Sequence, residues 1–596
     1  MEEGRPTLGL DLGTTNVALA VARREDEPPA TALLPQVVHE GEVAERPQLP
    51  SFVYLPGEEL AASAIALPWD PARDYVVGAF AREQGARIPA RLVSSAKSWL
   101  SHAGVDRRKA ILPWGAPEEV PKLSPVEASA RYLRHVREAW DHLHPDLPFD
   151  SLDLVLTVPA SFDAVARDLT VEAARAAGLG ERLTLLEEPQ AALYAWVASR
   201  PDWRKQLSVG DLILVCDIGG GTTDFSLIAV LEEDGALELR RVAVGDHILL
   251  GGDNMDLALA YAVRTRLEGQ GQKIDDWQFR ALVHSVRQAK EQLFAEPTLP
   301  SAPVVIPGRG SRLIGGTLRT ELDRPTLEST LVDGFFPRVQ ASERPAAPRR
   351  VGLTALGLPY AHDPAFTRHL AAFLGRQAEA TASLPPGVHR EGRSFLHPTA
   401  ILFNGGVTKA APVRERILEV LESWIVAEGG VAPKVLEGGD PDLAVSRGAA
   451  YYGLVRKGRG VRIRGGSARS YYVGLERAEL AVPGIPPRVD AVCVAPFGME
   501  EGSEVTLPEP MGLLVGEPAS FRFFASSARR DDEVGEVVDP AELEELPPIE
   551  TVLQGEEGAV VPVRLRARLT EVGTLEIAAV ESAGREWRLE YQIERG

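Results

Sequence analysis

The order of apolar and polar positions gives the chain two textures. Short apolar runs at 152–158, 183–186, 213–218 and 400–403 read as buried strands. An Ala-rich helix is predicted over 164–177, stopped by Gly178, and another opens with Pro189 in its first turn, where the missing N–H is tolerated. A third helix is expected after Gly251, Gly252 and Asp253, and a long one over 276–294. Strands alternating with helices are the signature of an α/β domain. From 471 to 596 the pattern changes to short alternating or apolar runs, at 491–494, 519–524, 560–565 and 573–580, parted by Gly, Pro and acidic clusters. That texture predicts an all-β module, a sandwich, with no long helical region after it. The Pro-, Ala- and Arg-rich stretch 338–365 reads as a loop or small insertion. A Gly/Arg/Ser stretch at 458–470 reads as a linker, which divides the chain into 1–457, 458–470 and 471–596.

Two segments roughly two hundred residues apart repeat one another. The first carries Asp11, Gly13, Thr14, Thr15 and Asn16 between apolar strands; the second carries Asp217, Gly219, Gly220, Gly221, Thr222, Thr223 and Asp224. Each reads as a β-hairpin with a tip stripped of side-chain bulk. Glycine lets a phosphate reach the backbone, and successive N–H groups with threonine hydroxyls bind its oxygens. The aspartate ending each first strand suits Mg²⁺ held through its water shell. Either hairpin alone is also what an ordinary Gly-rich turn looks like; the two together point to a nucleotide triphosphate gripped from both sides. An internal duplication follows, with two similar α/β lobes and a cleft between them.

Composition narrows the class. The chain has 596 residues, 44% hydrophobic and 25% charged, enough for several domains with full cores. A net charge of −21 disfavours nucleic acid and anionic membrane surfaces as partners. Cys216 and Cys493 are the only cysteines, so no disulfide framework is expected, and Cys216 falls in an apolar strand as a core residue. The start of the chain lacks a basic, apolar export segment and no run reaches membrane-spanning length, so a cytoplasmic location is expected. On position alone, Lys97 reads as a surface helix lysine and Glu188 as a helix-start carboxylate favoured by the dipole. Gly405 and Gly406, after the strand 400–403, stand where an adenine is received at a strand's C-terminal end, though most such pairs are turns.

Together these segments resemble the seventy-kilodalton heat-shock chaperones, the DnaK family. Gly9 to Asn16 matches that family's first phosphate loop, and Asp217 to Asp224 its second. Val158, Pro159, Phe162 and Arg167, with Glu187, Glu188 and Pro189, resemble its connecting segment; Asp440 to Ala450 resembles the second one. Gly251 to Asp256 and Asn404 to Lys409 complete the match, and 573–580 resembles the family's β substrate domain. The resemblance implies a duplicated actin-like, ribonuclease-H-like two-lobed ATPase domain followed by an all-β sandwich. It implies ATP or ADP with Mg²⁺, with K⁺ as a further ion. Lys97 would orient the attacking water; Glu188 and Asp217 would organise Mg²⁺ and water; Asp11 and Asp217 would hold the metal. The phosphates would fall to Gly13, Thr14, Thr15, Asn16, Gly219, Gly220, Gly221, Thr222 and Thr223, with Thr222 also catalytic. Asp224 would polarise water or bind an ion, and Gly251, Gly252, Lys290, Gly405, Gly406 and Lys409 would hold the rest of the nucleotide. Partners implied are unfolded or extended peptide, a J-domain co-chaperone and a nucleotide exchange factor, in protein folding and the stress response.

Three departures qualify this. The family's adenosine helix has a Glu three residues before a Lys-Arg pair; here Arg287, Lys290 and Glu291 leave only Lys290 in place, and Arg287 is expected to pair with Glu291 along one helix face. Val407 stands for the usual Ser and Lys409 for the usual Arg, and lysine lacks arginine's stacking plane. The family's apolar linker is replaced by Val461, Arg462, Ile463 and Arg464, half basic, and its helical lid is expected to be absent. Two main readings follow: an ATP-driven chaperone gating peptide binding, or a nucleotide-regulated scaffold with one dedicated partner. A kinase or a filament former on the same fold leaves the β module unexplained.

Overall fold

The structure is a computed structural model. It describes residues 5–24, 27–102, 104–179, 182–200, 202–233, 236–306, 308, 317–347, 357–379, 393–457, 463–464, 467, 469–477, 488–499, 503–526, 529, 531–570, 575–581 and 584–590. Most of the 458–470 stretch, including Val461 and Arg462, lies outside the described residues, as do 348–356 and the start of 573–580.

Two six-stranded sheets repeat one plan. In the first, Thr7–Leu12 pairs antiparallel with Asn16–Ala22 on one side and parallel with Asp153–Val158 on the other, and Leu183–Glu187 extends the parallel side. In the second, Leu212–Ile218 pairs antiparallel with Thr223–Glu233 and parallel with Ala400–Asn404, and Lys434–Val435 extends it. The register is equivalent too: Asp11 lies opposite Thr157, and Asp217 opposite Asn404. These central strands are almost wholly buried because helices cover both faces, so they read as apolar runs rather than alternations. The second sheet continues through Ala236–Val244 to a two-residue strand, Ile463–Arg464, which pairs parallel with Leu239 and Arg240.

Helices Glu188–Ser199 and Pro441–Arg456 cross between the lobes at unusually short range. A Cβ on Gly448 would lie 1.7 Å from the Ala191 carbonyl oxygen, and one on Gly9 would lie 2.1 Å from that of Ser446. Only glycine permits backbones this close. Each lobe keeps its own apolar core, and a third cluster, with Ala191, Tyr194 and Trp196 against Val445 and Ala449, fills the crossing.

Beyond residue 469 lie two antiparallel five-stranded sheets. One contains Ser470–Glu476, Val489–Ala495, Pro518–Ser526 and Glu544–Val552; the other contains Ala559–Leu569, Leu575–Glu581 and Glu586–Glu590. Val473, Val494, Phe523 and Leu546 of the first share one apolar cluster with Leu513, Leu565, Ile577 and Trp587 of the second. Both cysteines are buried and unpaired. Among the described residues no helix is long and apolar enough to cross a membrane.

Candidate functional site

Both hairpins turn alike. The Gly13 N–H donates to the Asn16 carbonyl at 3.0 Å, and the Gly219 N–H to the Thr222 carbonyl at 2.9 Å. The tips face each other: a Cβ on Gly220 would lie 1.8 Å from Thr15 Oγ1, and one on Gly221 2.6 Å from Thr14 Cγ2. Gly251 and Gly252 back the second tip. Gly252 N–H donates to Gly219 O at 3.0 Å, Asp253 N–H to Gly220 O at 2.7 Å, and a Cβ on Gly251 would strike both carbonyls. The helix opens at Gly252, two residues earlier than the expected start after Asp253, because the Asn254 side chain accepts from the Gly251 N–H at 3.0 Å. Thr223 does not present its hydroxyl to the cleft. That group is buried and donates to the Leu250 carbonyl at 2.8 Å, pinning the hairpin to the glycine turn.

Behind the tips stands a buried charge cluster. Lys97 is 6% exposed rather than on the surface, and its ammonium pairs with Glu188. Burial alone would push Lys97 down, but Glu188, Asp11 and Asp224 outweigh it and hold the ammonium above its ordinary value. Burial raises the Glu188 carboxyl against the pull of Lys97. Burial, with Glu188 adding to it, pushes Asp11 up to about 7 and Asp217 up to about 8. Thr157 Oγ1 donates to Asp11 at 3.2 Å, and Asn404 Nδ2 donates to Asp217 at 2.8 Å, so both aspartates are steadied by the same register partner. Ser95, two residues before Lys97, has φ 55°, the one non-glycine residue in the left-handed region among those described. Such strain persists where the surroundings fix it, here at the entry to the helix that carries Lys97.

Asp224 is held by two residues that the sequence reading passed over. Ser161 donates to it, and His247 Nδ1 lies 2.7 Å from Ser161 Oγ and 3.8 Å from the carboxylate. Ser161 sits inside the 158–167 segment, but His247 lies in no quoted motif, so only the fold unites them. Glu187 likewise joins Arg167 and Arg241, which puts a buried ion triad across the lobes.

On the remaining wall, Gly405 takes φ 82°, and a Cβ there would lie 2.6 Å from Asp217 Oδ1. Lys409 Nζ is 2.6 Å from Asp442. Lys290 pairs with Asp256 at 2.6 Å, and Arg287 pairs with Asp253 and Asp256 rather than with Glu291. The reason is energetic. An exposed helix pair is worth only about 0.3–0.5 kcal/mol, whereas a carboxylate as buried as Asp256 requires a cation.

The family model described as Hsp70 protein matches residues 7–343, more than half of the chain. The chain belongs to the Hsp70 family. Hsp70 proteins are ATPases that bind ATP or ADP with Mg²⁺ on an actin-like two-lobed fold. Among similar proteins, a "Chaperone protein HscA homolog" of Acinetobacter baumannii (strain AYE) is 29% identical over 360 residues, covering 59% of this chain and 50% of that protein. One of Bordetella pertussis (strain Tohama I) is 31% identical over 323 residues, 52% of this chain and 44% of its own length. The chain thus spans about half the length of the curated Hsp70 relatives it matches.

The donor set suits Mg²⁺ as Hsp70 proteins use it. Among the described residues no three or more His, Cys, Asp or Glu side chains converge as a ready ligand shell. Mg²⁺ is ordinarily held by one or two carboxylates, retained waters and substrate phosphates, which matches Asp11 and Asp217 at the two strand ends. Thr15 Oγ1, buried and without a hydrogen-bond partner beside Gly220, is the kind of orphaned group a phosphate oxygen satisfies.

Proposed function

We propose that this chain is a chaperone-type ATPase that turns over Mg-ATP in the cleft and couples turnover to an extended apolar peptide on the β module. The observation that carries the reading is the buried Lys97–Glu188 pair, set among Asp11, Asp217 and Asp224 behind two facing glycine tips. Thr14, Thr15, Thr222 and the backbone N–H groups of the tips bind phosphate oxygens. Asp11 and Asp217 would hold Mg²⁺, which would supply charge neutralisation for the phosphates. Lys97 and Glu188 orient the attacking water, and Asp224, steadied by Ser161 and His247, polarises it. Phosphoryl transfer asks for this kind of positioning and charge stabilisation, not covalent help.

In this reading 1–457 is the ATPase domain, 458–470 the linker and 471–596 a β-sandwich that binds peptide by main-chain bonds and a side-chain pocket. The shared apolar cluster of its two sheets supports the sandwich. A J-domain co-chaperone and an exchange factor would act on the cycle. The scaffold reading draws its support from the linker, which contacts the second lobe through a two-residue strand with a basic residue in it.

The test is steady-state ATP hydrolysis by the full chain with Mg²⁺, with and without an unfolded apolar peptide. Stimulation by peptide is expected. Turnover indifferent to peptide would favour the scaffold, and a requirement for a small-molecule phosphoryl acceptor would refute both readings.

A further inference from the structure

The Pro-, Ala- and Arg-rich stretch 338–365 has no part in the proposed ATPase cycle, yet its described ends are tied down. The buried Asp363 carboxylate accepts from the Ala346 N–H at 2.8 Å and the Ala365 N–H at 2.9 Å. The Ala361 N–H donates to the Leu249 carbonyl at 3.1 Å. Held in this way, Arg344 and Pro345 wall a cavity of about 310 Å³ against the helix Phe366–Glu379 and the turn after the strand Ala236–Val244. Small-molecule sites start near this volume, and they are mostly apolar with a few placed polar groups. The floor here is apolar: Phe225 and Phe373 stack with ring centroids 5.9 Å apart, and Ile248 and Ala372 complete it.

The rim is cationic. Arg344 Nη1 donates to the carbonyls of Ala341 and Glu343, both at 2.9 Å, and among the described residues no carboxylate pairs with it. Arg376 pairs with Asp246 at 2.7 Å, but the two side chains are 50% and 69% exposed, and a pair so open to water is readily exchanged. His369 directs Nε2 to the Asp363 carbonyl at 2.9 Å. With that imidazole neutral, two guanidiniums face one carboxylate, and the rim carries one positive charge in excess. The planar guanidinium fork matches the two oxygens of a carboxylate. We propose that this cavity binds a small organic monocarboxylate, its aromatic or compact apolar body on Phe225 and Phe373 and its carboxylate between Arg344 and Arg376. The site is separate from the nucleotide cleft but close to it in the chain. Phe225 follows Asp224 in one strand, and Asp246 precedes His247, whose Nδ1 is 2.7 Å from Ser161 Oγ.

The test is a saturation-transfer NMR titration of the full chain with 3-phenylpropanoate and with its neutral counterpart 3-phenylpropanamide, each with and without Mg-ATP. Saturable binding of the acid with a Kd of about 1 mM or below is expected. The amide should bind about tenfold more weakly, because it forfeits the charge-assisted bonds. Mg-ATP should not displace the acid. Arg344→Met, at an exposed position where folding is little affected, should bring the acid down to the level of the amide. No saturable binding up to about 10 mM, a concentration at which even a weak site for a ligand of this size fills, would overturn the proposal. Equal affinity for acid and amide, displacement by Mg-ATP, or full affinity in Arg344→Met would each overturn it as well. All of these outcomes leave the ATPase reading to its own assay.

Discussion

Replacing Lys97 with Met removes the ammonium paired with Glu188 while keeping most of the side chain's volume. The variant leaves Glu188 among Asp11, Asp217 and Asp224, all of them buried or nearly so. That cluster relieves itself by taking up a proton that the unfolded chain would release above a carboxyl value of 4.5. At pH 7 holding the proton costs about 1.4 kcal/mol for each unit above that value, or about 3.4 kcal/mol in all. The figure agrees with the roughly 3–5 kcal/mol typical of a buried ion left without its partner. Because the folded variant binds one more proton than the folded parent, its deficit against the parent grows as pH rises from 4.5 to 7. Acidification should return about 1.4 kcal/mol per unit. Urea unfolding at pH 5.5 and 7.0, followed by tryptophan fluorescence, measures this, since eight of the nine tryptophans precede residue 425. Hydrolysis should fall by about 10²–10³ while Mg-nucleotide still binds. A deficit equal at both pH values, or turnover within tenfold of the parent, would refute the role given to Lys97.

Four further outcomes follow from the geometry. Gly448→Ala should destabilise the chain by about 1–3 kcal/mol in urea, because overpacking against the Ala191 carbonyl exceeds alanine's helix advantage of about 1 kcal/mol. Glu187→Gln, which deprives two buried guanidiniums of their shared carboxylate, should cost about 3 kcal/mol by the same measurement. His135, buried and beside Arg73, is held down to about 3, so its stabilisation is complete above pH 6.5 and is lost as pH falls towards 3; His135→Gln should flatten acid unfolding curves across that window. Ser161→Ala loosens Asp224 and should lower kcat roughly tenfold with KM little changed, a split that steady-state kinetics resolves.

The two hairpins are legible in the sequence because their chemistry is local: Asp, glycines and threonines stand within a few residues of one another. The strands at Asp153–Val158, Leu212–Ile218 and Ala400–Asn404 are legible because burial on both faces leaves an apolar run. Lys97 is not legible without resemblance. Its partner is 91 residues away, and nothing nearby announces that a five-residue helix will be buried. Arg287 misleads for the opposite reason, since a plausible neighbour on its own helix hides the stronger demand of Asp256. Ser161 lies within the 158–167 segment, yet His247 is 86 residues away and in no motif, so their meeting is not legible. Thr157 and Asn404 become meaningful only through strand register, which sequence does not print.

The strand Ile463–Arg464 closes the rim of the second lobe's sheet. Main-chain pairing of this kind accepts basic and apolar residues alike, so a half-basic linker is no obstacle to it. If the strand left, the outer N–H and C=O groups of Leu239 and Arg240 would stand bare, a template for any extended chain, including another copy of this one. While it is paired, this strand covers that stretch of the sheet's edge with the chain's own backbone.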